Sequence, residues 1–65
     1  MASSPFDILK RHADGSFIWL EAAGDLGGAQ VRMLALATAT PGEYFVFDQR
    51  SQQIVAKLST APSPN

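Results

Sequence analysis

Two short runs near the start of the chain, Phe6 to Arg11 and Phe17 to Ala22, are rich in β-forming residues. Asp14-Gly15 lies between them and predicts a hairpin turn, because glycine enters positive φ without a steric cost. The expected register sets Lys10 opposite Trp19, Leu9 opposite Leu20 and Ile8 opposite Glu21. A four-residue loop from Ala13 to Ser16 keeps the same pairing. From Ala29 to Ala37 the pattern changes to helix formers, and Leu26, Ala29, Met33, Leu36 and Ala37 fall on one stripe at helical spacing. Asp25 is placed to cap the free amides of the first turn. Gly27 and Gly28 weaken that turn by roughly 1 kcal/mol each relative to alanine. Thr40-Pro41-Gly42 supplies the stop. Glu43 to Asp48 and Gln53 to Leu58 form a second strand pair around the loop Gln49 to Gln52. Phe47 is then opposite Ile54, Val46 opposite Val55 and Phe45 opposite Ala56.

Period-two alternation sorts these side chains into faces. In the second hairpin Phe45, Phe47, Ile54, Ala56 and Leu58 share an entirely apolar face, whereas Tyr44, Val46, Asp48, Gln53, Val55 and Lys57 share a mixed one. In the first hairpin Leu9, Ile18, Leu20 and Ala22 share one face, and Phe6, Ile8, Lys10, Phe17, Trp19 and Glu21 the other. The aliphatic face is the expected core side, because Lys10 and Glu21 are costly to bury unpaired. The expected core is therefore Phe45, Phe47, Ile54, Leu20, Met33 and Leu36. One helix covers one face of a four-stranded sheet, so Phe6, Ile8, Lys10, Phe17, Trp19, Tyr44, Val46 and Val55 are left as a candidate interaction surface. With the first hairpin turned the other way, that patch shrinks.

These elements define an α+β fold. A four-stranded, mainly antiparallel sheet in ββαββ order carries one helix packed on one face. Strand order is open between an antiparallel 2-1-3-4 arrangement and a central parallel pair of strands two and three with a right-handed crossover. The expected domain is 6–58, with a flexible N-terminus over 1–5 and a disordered tail over 59–65, where Ser59 to Asn65 has linker composition.

Composition narrows the function. A chain of 65 residues buries too little surface to be robust unaided. Cysteine is absent and His12 is the single histidine, which removes disulfides and multi-His metal sites as aids. Self-association is the remaining support. A net charge of -1 disfavours nucleic acid and anionic membranes as partners. The longest apolar stretch, Met33 to Ala37, is too short to span a bilayer. Met1-Ala2-Ser3-Ser4-Pro5 lacks the regions of a signal peptide, and a cytoplasmic location is expected.

The segments Asp14-Gly15-Ser16-Phe17-Ile18-Trp19 and Gly42-Glu43-Tyr44-Phe45-Val46-Phe47-Asp48, with a helix between them, resemble short bacterial domains of ββαββ layout that carry no assigned activity. A more distant likeness is to HicB-type antitoxins, which also open with a strand, an Asp-Gly turn, a strand and a helix. Their Pro and Gly-Cys stretch before the helix is missing here.

His12 is the one candidate general base, with Asp14 placed to orient it and Ser16 as a nucleophile. All three are ordinary residues for a hairpin end. Gly24-Asp25-Leu26-Gly27-Gly28 matches neither a Walker A loop nor a dinucleotide fingerprint. Asp7, Asp14, Glu21, Asp25, Glu43 and Asp48 are too scattered for a metal cage. No enzyme activity, cofactor or metal is expected. The leading expectation is a non-enzymatic protein-interaction module, a homodimer or a partner of another protein. The alternatives are a single-stranded nucleic-acid module using exposed aromatics, with Lys10 and Lys57 on phosphates, and an antitoxin-like regulator.

Overall fold

The computed structural model describes residues 5–60. The expectations for residues 1–4 and 61–65 lie outside the described residues. Within them the chain forms β1 (Phe6–Arg11), β2 (Phe17–Ala23), α1 (Leu26–Ala39), β3 (Glu43–Asp48) and β4 (Gln53–Ser59). The sheet order is β2-β1-β3-β4 and every neighbouring pair is antiparallel. The antiparallel alternative therefore holds, and β1 pairs with β3 from Phe6↔Asp48 to Arg11↔Glu43.

Local chemistry sets the boundaries. Gly15 takes φ 91 in the first turn, and the Gly15 amide donates to the His12 carbonyl at 2.9 Å. The Asp25 carboxylate accepts from the Gly28 amide at 2.6 Å, which caps α1. The Thr40 amide donates to the Leu36 carbonyl at 2.9 Å and ends the helix. The second turn lacks glycine, and Gln52 takes the positive φ of 58 instead. Beyond the expected Leu58, β4 continues through Ser59, and the Thr60 amide donates to the Gly42 carbonyl at 2.9 Å.

Each hairpin follows the expected register at one end and slips at a bulge. Ile8 faces Glu21 as expected, but Leu9 then faces Trp19 and Lys10 faces Ile18. Phe47 faces Ile54 as expected, but Val46 faces Ala56 and Phe45 faces Lys57. One extra residue on the longer strand, Leu20 or Val55, reverses the facing of everything beyond it.

The helix covers the face opposite to the one expected. Phe6, Ile8, Tyr44 and Val46 are buried beneath Ala29, Met33 and Ala37, with Leu20, Ala23, Leu26, Leu36, Ala56 and Leu58 packed around them. Met33 and the flanking Leu20 and Leu36 are thus inside as expected. Phe47 is only half-buried and Ile54 is exposed on the other face. Phe45 is buried, but on that other face too.

The reason is polar. The Tyr44 hydroxyl reaches the carbonyls of Thr40 and Leu36 at the end of α1; Leu36 also accepts from the Thr40 amide, so the Thr40 carbonyl is the group a phenylalanine would leave to water. Glu21 on the helix side is not stranded, because Arg32 of α1 holds it through two hydrogen bonds at 2.8 and 3.0 Å. Lys10 runs along the rim with its ammonium 5.7 Å from the centre of the Tyr44 ring. The two charges that argued against this face are therefore accommodated at its edge.

Candidate interaction surface

The face away from α1 is built by direct strand partners. Its first row is Phe17, Arg11, Glu43 and Ser59, taken across β2, β1, β3 and β4. The second row is Trp19, Leu9, Phe45 and Lys57. The third is Ala22, Asp7, Phe47 and Ile54. An apolar band runs diagonally through these rows from the β2 edge to the β4 edge. Charges stand at its margins.

Trp19, Phe17 and Ile54 are 59%, 51% and 47% exposed, so no element of the described chain covers the band. The band is nevertheless ordered. The Trp19 Nε1 donates to Asp7 Oδ1 at 3.0 Å. The Gln49 amide nitrogen donates to both Asp7 oxygens, at 3.0 and 2.9 Å. Phe17 meets Phe45 edge-on, with ring centres 5.3 Å apart and planes at 72°. Lys57 lies 5.9 Å from the centre of the Phe45 ring. An exposed indole fixed in this way loses little rotamer freedom when a partner arrives.

Of the eight surface candidates, the structure brings two together here, Phe17 and Trp19. Phe6, Ile8, Tyr44 and Val46 are corrected to the buried core under α1. Lys10 sits on the helix side, and its expected pairing with Trp19 is replaced by Tyr44 because the Leu20 bulge moves Trp19 to the opposite face. Val55 stands at the β4 bulge, 38% exposed. Leu9, Phe45, Phe47 and Ile54 belong to the surface although alternation had assigned them to the core. Asp7 and Gln49 were missed, since their role depends on cross-strand neighbours.

At the hairpin tip His12 is exposed, and Asp14 accepts from both the Ser16 amide (2.9 Å) and the Ser16 hydroxyl (2.7 Å). Those bonds hold the Asp14 carboxyl below its usual range, aided by His12. A carboxylate so stabilised is a weaker base toward Ser16. At the other rim, the hydrogen bond from Arg32 lowers the Glu21 pKa, and Glu21 raises that of Arg32. Among the described residues no three His, Asp or Glu side chains converge as metal ligands. No helix among them is long and apolar enough to cross a membrane.

No protein-family model, curated protein or solved structure matches this chain.

Proposed function

We propose that this chain is a small non-enzymatic protein-interaction module that self-associates through the open face of its sheet. The observation that carries the reading is the uncovered apolar band, in which Trp19 and Phe17 are each more than half exposed. Large exposed apolar patches on small domains mark association sites. A second copy supplies what the composition lacks, namely enough buried surface to stabilise a chain of 65 residues. Removing the band from water contributes about 25 cal/mol per Å² of apolar area, offset in part by association entropy. The cysteine-free composition suits a reducing compartment such as the cytoplasm.

Exposed aromatics beside Arg11 and Lys57 also suit stacked bases of a single strand. Two features favour protein instead. Asp7 binds the Trp19 indole and Glu43 lies in the first row, so acids share the face with the rings. Phe45 is already covered by Phe17 and Lys57.

Light scattering at high micromolar concentration should give the mass of a dimer, and Trp19→Asp should give a monomer. A monomeric wild type, or salt-dependent binding to single-stranded DNA or RNA that quenches Trp19, would overturn the proposal.

A further inference from the structure

The open face carries a charge arrangement that selects one way for two copies to meet. In the first row Arg11 and Glu43 are direct partners on the central strands β1 and β3. They make no ion pair with each other, and among the described residues neither joins the two ion pairs present, Arg32–Glu21 and Arg50–Asp48. The second row places Lys57 at one end and Trp19 at the other.

We infer that two copies pack open face to open face about a twofold axis parallel to the strands and midway between β1 and β3, so that Arg11 of each copy meets Glu43 of the other. This rests on the self-association proposed above and specifies its geometry. A twofold axis there exchanges β1 with β3 and β2 with β4. Arg11 then lies over Glu43 of the second copy twice, Leu9 over Phe45, Trp19 over Lys57, and Ala22 over Ile54. Every charge in the first two rows gains an opposite charge or an aromatic ring. Asp7 comes over Phe47, but it enters the interface already holding Trp19 and Gln49 of its own chain.

The other in-plane axis, perpendicular to the strands through the second row, sets Lys57 against Lys57 and leaves Glu43 over Phe47; it brings Arg11 over Asp7, whose carboxylate is already held by Trp19 and Gln49. Like charges opposed in a closing interface are disfavoured. Distances suit the first axis. Neighbouring strands are about 4.8 Å apart, so Arg11 and Glu43 flank the axis by about 2.4 Å each, and stacked sheets lie about 10 Å apart. The long Arg and Glu side chains together span that gap, even with the roughly 30° angle of aligned sheets. A face of four strands by six residues offers only a footprint of about 19 by 20 Å, below the standard size of specific interfaces, so the dimer is expected to be weak and charge register matters to its strength.

The test uses sedimentation equilibrium from about ten to several hundred micromolar, bracketing a weak interface of this size. Arg11→Glu and Glu43→Arg should each weaken homodimerisation tenfold or more, because each opposes like charges at both contacts. Mixed one to one, the two variants should form a heterodimer within a few-fold of wild-type affinity. The double variant Arg11→Glu/Glu43→Arg, whose in-chain charges remain complementary, should recover the homodimer. A dimeric wild type whose mixture stays monomeric and whose double variant fails to recover would overturn this axis while leaving self-association intact. A monomeric wild type would remove both.

Discussion

The two faces of this sheet hold similar amounts of apolar material and meet different fates. On the helix side Ile8 and Val46 are fully buried under Ala29, Met33 and Ala37. On the open side the larger rings of Trp19 and Phe17 stay more than half exposed. The difference shows that hydrophobicity alone does not choose which face a helix covers. The helix sits where its own polar requirements are met. Tyr44 serves the carbonyls at its C-terminal end, and Glu21 receives its single charged residue, Arg32. The open face carries no tyrosine, and its acids are Asp7, already bonded to Trp19 and Gln49, and Glu43 at the end of the central strands.

The same substitution on the two faces gives the sharpest test. Ile8→Ala should cost about 2–5 kcal/mol by chemical denaturation, because it empties a fully buried site. Ile54→Ala, at a position 47% exposed, should cost under about 1 kcal/mol when measured at concentrations where the chain is monomeric. Equal costs would abolish the distinction between the faces. Next in size, Tyr44→Phe should cost about 1 kcal/mol, as the Thr40 carbonyl loses its hydroxyl partner while the ring still packs and the Leu36 carbonyl keeps the Thr40 amide. A neutral result would remove the hydroxyl as the reason for the chosen face. Asp25→Ala should cost a similar ~1 kcal/mol by uncapping the helix, with Asp25→Asn recovering most of it.

The smallest effect concerns the rim. Arg32 lowers the Glu21 pKa in the folded state, so this pair adds stability above the unfolded glutamate pKa. The contribution disappears as pH falls through the lowered folded value. Both side chains are partly solvated, so the effect should be small and weakened by salt. Comparing wild type with Glu21→Gln in acid titrations at low and high salt checks it. An identical acid dependence in the two proteins would dismiss the pair as a contributor.

Element boundaries were legible because each is written in local chemistry. Asp14-Gly15, the Asp25 cap and Thr40-Pro41-Gly42 each solve a backbone problem within a few residues. The facing of the strands was not. Two bulges, at Leu20 and Val55, interrupt period-two counting inside both hairpins. Ala56 and Leu58 therefore join the core while Ile54, their neighbour by alternation, does not. The face also turned on pairs distant in sequence, Glu21 with Arg32 and Tyr44 with Leu36, which no strand displays by itself. For the surface, Trp19 and Phe17 were recognisable as outward-facing. Asp7, which fixes the indole, stood out in the sequence only as one of six scattered acids, because its partners Trp19 and Gln49 lie 12 and 42 residues away.

The strand order has a kinetic consequence. β1–β2 and β3–β4 each close through a tight turn, whereas β1–β3 joins residue 6 to residue 48 across the helix. Local hairpins form in about 1–10 μs, and long closures pay their entropy before contacts repay it. The seam between β1 and β3 is thus the late, cooperative step, and its buried Ile8 and Val46 lie directly opposite one another. Altering the Gln49–Gln52 turn, which forms before the seam, should chiefly slow refolding, whereas trimming Val46 to alanine should chiefly hasten unfolding, a contrast that stopped-flow measurement of both limbs would expose.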